Sequence, residues 1–344
     1  MNKKEIISFL SSLSEYELNK ILLSLKHNQK SEDSFIYKRR DLLNNKQANC
    51  PHCDSNKFSK NGKENNVQRY ICKSCKKSFS EFTGTWLSGL HNKGLVEDYL
   101  QLMREERSLD YIKDRLNINK KTALDWRHKI LEAMENIERS KFQGITESDE
   151  TQFLLSEKGK KQKKRKPRKR GKKGSFPKKG SKQGIKKDEY VSVLCTADRL
   201  EQMDLSLASK GKIKTKDIEK IVENRVTDKT IICSDGSTAF KSFCKKKELE
   251  HHILRYSKGE YTKGKYHIQN VNSLHNKLKK WIDNKFWGVS TKYLQKYLNW
   301  FRIKQIINKN KVEFNYMIEL SIRDIKAFER FHRNQQNYLE LIST

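Results

Sequence analysis

Three observations predict a multidomain α+β chain. Helical periodicity marks both ends, two CxxC pairs lie between residues 50 and 75, and the middle alternates short β-rich runs with helical patterns. The 344 residues leave room for about two or three domains. Lys and Arg number 74 against 42 Asp and Glu, a formal net charge of +32. Solubility needs far less, so the excess points to a polyanionic partner. No run approaches the ~18 consecutive apolar residues of a membrane span. The opening Met1-Asn2-Lys3-Lys4-Glu5-Ile6-Ile7 has neither a long apolar stretch nor a small-residue cleavage site, which predicts a cytoplasmic protein. Seven cysteines, four of them paired at short spacing, then argue for metal rather than disulfides. The classes that remain are nucleic-acid binder and nucleic-acid enzyme.

Residues 1–47 read as a helical segment and linker. Ile6, Ile7, Phe9 and Leu10 form one apolar group, and Leu18, Ile21, Leu22 and Leu25 recur at helical spacing after a candidate cap at Ser14. Residues 48–90 hold Cys50-Pro51-His52-Cys53 and Cys72-Lys73-Ser74-Cys75, with 18 residues between the pairs. Each CxxC knuckle turns two thiolates onto one tetrahedral ion, so Cys50, Cys53, Cys72 and Cys75 predict one structural Zn²⁺ in a zinc ribbon. Four thiolates close the shell, which leaves His52 as a neighbour. Arg69-Tyr70-Ile71 and Lys77-Ser78-Phe79 read as flanking strands. Cys195, Cys233 and Cys244 read as core residues.

Residues 91–140 contain a helix-turn-helix pattern. Leu109, Ile112 and Leu116 mark the first helix, Asn117-Ile118-Asn119 the turn, and Asn119 is placed to cap the second. Ala123, Trp126 and Ile130 face inward. Lys121, Thr122, Asp125, Arg127, His128 and Lys129 are expected outward, with Lys121, Thr122, Arg127 and Lys129 as candidate double-stranded DNA contacts. An ordinary helical hairpin has the same periodicity; the ribbon beside it and the net charge favour DNA.

Residues 141–290 mix strands and helices around a basic loop, 157–188. Within it, residues 158–187 carry 17 Lys or Arg in 30 positions and no acid. Lys163, Lys164, Arg165, Lys166, Arg168, Lys169 and Arg170 form its densest stretch, and such like-charge density favours contact with a DNA backbone over a mere spacer. Strands are expected around Asp149, at Tyr190–Cys195, at Gln202–Leu207, at Thr230–Ser234 and at His252–Leu254. Helices are expected at 215–226 with Thr215 as cap, at 237–249 with Ser237 as cap, and at 268–283. One acid, Asp149, sits on the first strand, and a second, Asp235, ends the fourth. Carboxylates on adjacent strands can share two Mg²⁺ or Mn²⁺ ions about 3.5–4 Å apart, a phosphoryl-transfer arrangement. Glu147 shares a strand face with Asp149 and competes with it as a ligand, while Glu150 points away. Asp235-Gly236 also reads as a plain turn. Residues 291–344 return to helix, with Tyr293, Tyr297, Trp300, Ile303 and Ile307 as a stripe widened by Leu294, Leu298 and Phe301.

Over roughly residues 48–305 the chain resembles the bacterial insertion-sequence transposases that join a zinc ribbon to an RNase H-like, DDE-type catalytic domain. The residues that carry the resemblance are the two CxxC pairs, Asp149-Glu150-Thr151, Ser234-Asp235-Gly236 and His267-Ile268-Gln269-Asn270-Val271-Asn272-Ser273. The resemblance implies Asp149 and Asp235 as metal ligands. Its third position is often Glu and in one subgroup Asn, followed seven residues later by Lys; here these are Asn272 and Lys279. On a helix the two lie two turns apart on one face, and Lys279 would reach DNA phosphate. Asn272 is a weaker ligand than a carboxylate. Asn270 is an alternative to it, and His267 is a further candidate lining residue. The resemblance implies binding of element ends and target DNA, strand cleavage and strand transfer, and a homo-oligomer that pairs two ends. A transposase-derived regulator without catalysis, and a nuclease of the same fold, are the other readings.

Overall fold

The computed structural model describes residues 38–134, 141–159, 189–200, 202–255 and 258–310, with residues 9, 11 and 12. The expected helices before residue 29, nearly all of the basic run and the chain after 310 lie outside the described residues. The chain divides into two compact units between Ala123 and Leu124.

The first unit begins with α1, Lys38–Asn44, followed by β1 Phe58–Glu64, β2 Val67–Cys72 and β3 Ser78–Ser80. These strands form an antiparallel sheet in the order β1-β2-β3. Asn65 and Asn66 close the β1–β2 hairpin at φ 49° and 63°, the left-handed turn that Asn tolerates. So small a sheet needs a dense core. Phe58, Tyr70 and Phe79 supply it with ring centroids 5.4–5.6 Å apart, joined by Leu43 of α1. Glu81, fully buried, accepts from Arg40 Nε at 2.5 Å and Nη2 at 2.8 Å, which ties α1 to the end of β3.

Three helices follow: α2 Val96–Arg104, α3 Leu109–Leu116 and α4 Lys120–Ala133. Ser108 caps α3 by accepting from Tyr111 N at 3.1 Å. Asn117 turns the chain at φ 52°. Asn119 caps α4 by accepting from Lys121 N at 2.8 Å, the role its position predicted.

The second unit holds α4 beyond Ala123 and a five-stranded sheet: β4 Gly144–Leu154, β5 Tyr190–Asp198, β6 Met203–Lys210, β7 Thr230–Ser234 and β8 Glu250–Ile253. The spatial order is β6-β5-β4-β7-β8. β4, β5 and β6 pair antiparallel, whereas β7 runs parallel to both β4 and β8. The parallel pairs need crossovers, and helices supply them. These are α5 Thr215–Val222 before β7 and α6 Thr238–Lys246 between β7 and β8. Their apolar stripes pack on Phe142, Leu194 and Ile232. Cys233, the next residue, packs instead on Ile268 at the start of α7, Gln269–Phe286. Successive strand residues face opposite ways, so helices cover both sides of the sheet. A short hairpin, β9 Thr262–Lys263 with β10 Tyr266–His267, precedes α7.

The last described helix, α8 Thr291–Asn310, lies on the edge strand β6. Gln295 Nε2 donates to Leu205 O at 3.0 Å, and its Oε1 accepts from Leu207 N at 2.8 Å. One side chain thus satisfies edge groups that would otherwise invite another strand. Trp281 and Phe286 of α7 meet Tyr297, Trp300 and Phe301 of α8 in an aromatic cluster, centroids 4.8–5.9 Å apart.

Three expectations need correction. Arg127 and His128 do not face outward; each is only 2% exposed. Arg127 lies over the Trp300 ring at 5.5 Å, and His128 stacks on Tyr293 with centroids 3.7 Å apart. The aromatic stripe of α8 covers these two residues of α4. Thr215 is the first residue of α5 rather than its cap; the cap is Lys214, whose N–H donates to Asp217 Oδ2 at 2.8 Å. Ser237 stands at the α6 cap position, but its hydroxyl makes no cap bond.

Candidate functional site

Two sites take shape, one in each unit. In the first, the Sγ atoms of Cys50, Cys53, Cys72 and Cys75 all lie within 4.8 Å of one another. Cys50 and Cys75 are 3.8 Å apart, and Cys53 and Cys72 are 3.6 Å apart. A tetrahedron with Zn–S bonds of about 2.3 Å has S···S edges of about 3.8 Å. The two knuckles repeat one pattern. Cys50 N bonds Ser55 O at 2.9 Å and Asp54 N bonds Cys50 O at 2.9 Å; Cys72 N bonds Lys77 O at 3.0 Å and Lys76 N bonds Cys72 O at 3.0 Å. Asp54 and Lys76 both sit at positive φ, 59° and 61°, so that the chain leaves each knuckle sharply. The Cys75 N–H points at Cys72 Sγ and draws that thiol down to about 6, against the opposing effect of burial. A thiolate is the form a metal needs. The cluster is compatible with a zinc ribbon.

In the second unit the geometry starts from register. β4 and β7 pair in parallel, with Gly144 opposite Thr230 and Glu147 opposite Cys233. The same offset carried two residues further sets Asp149 level with Asp235. Asp235 follows the last residue of β7, where the strand ends in a tight turn. Gly236 adopts φ +77°, and a Cβ there would lie 2.2 Å from Ile253 Cγ2, so only glycine fits. Ser234 Oγ accepts from Gly236 N at 3.1 Å and bonds His251 Nε2 at 2.8 Å, and Asp235 Oδ1 accepts from Ser237 N at 2.9 Å. The turn therefore holds an exposed carboxylate beside a half-buried one. Burial first, then the charge of Asp235, pushes the Asp149 carboxyl up to about 7, while the Lys279 ammonium opposes the shift. Burial and Asp235 also raise Glu150.

The opposite wall is α7. His275 and Lys279 of this helix lie near Asp149, and Asn272 precedes them at i−3 and i−7, where it lines a groove with Gln269, Ser273 and Asn276. Asn272 and Lys279 are half-buried; His275 is 8% exposed, with Nδ1 4.0 Å from Asp149 Oδ2. Burial, then Lys279, lowers the His275 imidazole to about 4, so the ring is neutral near pH 7.

Glu147, the rival to Asp149 in the sequence, is engaged elsewhere. It is 1% exposed. Oε2 accepts from Asn270 N at 2.8 Å and Val271 N at 3.1 Å, and Oε1 accepts from Asn270 Nδ2 at 2.8 Å. Arg199 Nη2 reaches Oε1 at 2.8 Å and His267 Nδ1 at 3.3 Å. The N-cap residue of α7 is Ile268, which makes no side-chain cap bond. Glu147 caps this helix from a strand, with its negative charge at the positive helix end. Glu147 and Asn270, both open as ligands on the sequence alone, thus bond each other. His267 belongs to the same cluster.

Among the described residues, the cysteine tetrad is the one group of three or more His, Cys, Asp or Glu donors within 4.8 Å. Asp149 and Asp235 draw in no third acid. The remaining predicted residues are dispersed: Lys121 is exposed, Thr122 and Lys129 are half-buried, and burial lowers Lys129. Lys163, Lys164, Arg165, Lys166, Arg168, Lys169 and Arg170 lie outside the described residues.

Residues 141–304 match the ISXO2-like transposase domain. The match begins just before β4 and ends inside α8, so it contains both acids and the whole face of α7. It supports a transposase. A curated relative, described as an uncharacterized protein in transposable element ISH50 of Halobacterium salinarum, is 23% identical over 261 residues, covering 74% of this chain and 84% of the relative. That relative therefore extends the likeness beyond the matched domain. No helix among the described residues is long and apolar enough to cross a membrane.

Proposed function

We propose that this chain is a DNA transposase that cuts and joins strands with an RNase H-like, two-metal site. One observation carries the reading. Asp149 lies on β4 and Asp235 just past the end of its parallel neighbour β7, level with each other when the strand register is carried on, inside the residues that match a transposase domain. Asp149, Asp235 and the Asn272 carboxamide would hold the catalytic cations, Mg²⁺ or Mn²⁺. The donor set fits. A half-buried carboxylate whose proton affinity is raised by desolvation and then by a second carboxylate is stabilised by a divalent cation between them. When bound, the ions would polarise the scissile phosphate and activate the attacking oxygen.

The chain's own residues do the rest. Glu147 fixes the start of α7 against β4, and so sets where Asn272 and Lys279 stand. Lys279 neutralises charge beside Asp149 and would meet a DNA phosphate. In the first step water attacks phosphorus and the 3′-oxygen leaves, taking a proton to become a 3′-hydroxyl. In the second, that hydroxyl attacks a phosphodiester of the target and displaces its 3′-oxygen. One P–O bond forms and one breaks each time, and no protein–DNA bond is made. A structural Zn²⁺ on Cys50, Cys53, Cys72 and Cys75 would order the ribbon. The ribbon, the helix-turn-helix around Lys121 and the basic run 157–188 would hold the DNA, and two copies would pair the element's ends.

The test incubates the purified chain with DNA carrying the sequences that flank its own coding region, plus Mg²⁺ or Mn²⁺. Nicking and strand transfer are read on a denaturing gel, with Asp235→Ala alongside. Metal-dependent joining that vanishes in the variant is expected. Tight end binding without cleavage in either protein would replace this reading with the regulator that the neutral Asn272 suggests. Cleavage without joining would favour the nuclease.

A further inference from the structure

Five tryptophans occur in the chain. Trp86, Trp126, Trp281 and Trp300 are buried, 1–7% exposed, whereas Trp287 is 89% exposed. It stands just past α7 in the left-handed conformation that ends the helix, φ 52° and ψ 41°, and its N–H donates to Asp283 O at 3.2 Å. Among the described residues other than glycine that adopt a positive φ, it is the one apolar side chain; the rest are Lys, Asp, Asn and Glu. Helices commonly end this way on glycine, yet here Gly288 comes one residue later. A lone exposed apolar residue is ordinary; one held out by an unfavourable backbone conformation is not. The fold recovers neither cost. Phe286, one residue back, packs on Trp281, Tyr297 and Trp300, while Trp287 stays in solvent.

The charge beside it indicates the kind of partner. α7 brings Lys277 and Lys280, both exposed, to a polar groove with Gln269, Asn272, Ser273 and Asn276. Lys280 lies about two helical turns before Trp287. Residues 277–285 hold four lysines and one acid, Asp283. Such a groove suits the phosphates of a nucleic-acid strand. The helix end itself carries partial negative charge beside Asp283, which disfavours a phosphate at Trp287 but not a neutral base. An indole offers that base a stacking surface.

We propose that Trp287 stacks on an unpaired base of a DNA strand whose phosphates follow the outer face of α7. The proposal rests on the reading of this chain as a protein that acts on DNA. Stacking needs an open base face, so Trp287 holds DNA that is locally unpaired, as at a cut or frayed end, and adds nothing to closed duplex.

The experiment measures binding of the full, zinc-loaded chain to two DNAs by fluorescence anisotropy. One is a blunt duplex of the sequence that flanks the coding region; the other is the same duplex with a short single-stranded tail. Trp287→Ala is expected to bind the tailed duplex about 5- to 150-fold more weakly and the blunt duplex equally well. The salt dependence of its binding should be unchanged, because no phosphate contact is lost. Trp287→Tyr, which keeps an aromatic ring, should recover most of the affinity. Equal affinity of Trp287→Ala and the unsubstituted protein for the tailed duplex overturns the proposal. So does an equal loss on both DNAs. A loss of self-association in sedimentation, with DNA binding intact, would instead make Trp287 a contact between copies and overturn it too. If the unsubstituted chain binds neither DNA, the DNA reading falls and the proposal with it. If it binds both and Trp287→Ala matches it, only the stacking role falls.

Discussion

Glu147→Gln changes one atom of a buried side chain and reverses its chemistry. The carboxylate accepts from Asn270 N, Asn270 Nδ2, Val271 N and Arg199, with every donor within 3.1 Å. A carboxamide has one acceptor oxygen. Whichever way it is turned, its NH₂ faces donors: the two helix N–H groups on one side, or Asn270 Nδ2 and Arg199 on the other. A charge-assisted bond contributes about 1.5–3 kcal/mol, and a stranded buried donor costs about 1–3 kcal/mol. Arg199 keeps a third of its side chain exposed, so water recovers part of the loss. The expected destabilisation is about 2–4 kcal/mol, short of the full penalty of a broken buried pair. It should concentrate at the start of α7. Amide exchange at Asn270 and Val271 in the full chain should therefore accelerate about 30- to 1,000-fold, since each 1.4 kcal/mol is tenfold. Glu147→Asp, which keeps the charge on a shorter arm, should recover part of that protection. If exchange at both amides stays within threefold of the unsubstituted protein, Glu147 does not anchor α7 and the positional argument for Asn272 and Lys279 loses its base.

Three further outcomes follow from the same geometry. Gly236→Ala should cost at least about 2 kcal/mol, combining left-handed backbone strain with the 2.2 Å approach to Ile253; adding Ile253→Ala should cost less than the sum of the two single changes in thermal unfolding, and simple additivity would refute the clash. His128, 2% exposed, has its pKa lowered to about 3 by burial, then by Lys296 and Arg127. The unfolded chain takes up that proton near pH 6.5, so its contribution is complete above 6.5 and is lost as pH falls toward 3, by about 1.4 kcal/mol per unit. Asp149 acts in the opposite sense between about 7 and 4, so the informative quantity is the difference between the unsubstituted protein and His128→Phe across pH 6 to 4; a flat difference would refute burial of the neutral ring. Elemental analysis should find one zinc per chain, lost with a strong chelator and in Cys72→Ser, together with the amide protection of β1–β3. Retention of that protection without metal would show that the aromatic core suffices.

What could be read from residues alone follows the range of the forces involved. The CxxC spacing, the cap at Asn119 and the strand runs of β5 and β6 are local, and all stand where the pattern put them. β1 was not visible. Its sequence Phe-Ser-Lys-Asn-Gly-Lys-Glu has no β-branched residue, and only Phe58 is buried, so pairing with β2 alone makes it a strand. The β9–β10 hairpin is two residues a side and carries no periodicity to detect.

The larger omissions share a cause, and it bears on how the site is built. Arg127 and His128 read as surface residues because their polar heads suit water. They are buried because α8 brings Trp300, Tyr297 and Tyr293 onto them from far along the chain. Glu147 read as a rival ligand because it shares a face with Asp149. It is a cap because α7 starts at Ile268, which has no side chain able to cap. A signal was present in that absence: an 18-residue helix beginning without Ser, Thr, Asp or Asn needs its N–H groups satisfied from elsewhere. The acids on β4 thus divide by position. Glu147 is held by the end of α7, whereas Asp149, two residues on and level with Asp235, faces the middle of that helix. There the helix offers His275 and Lys279, a neutral imidazole and an ammonium, and no further negative charge. An anion such as a phosphodiester can approach two carboxylates only if cations neutralise them, and this wall of α7 adds nothing that would repel it.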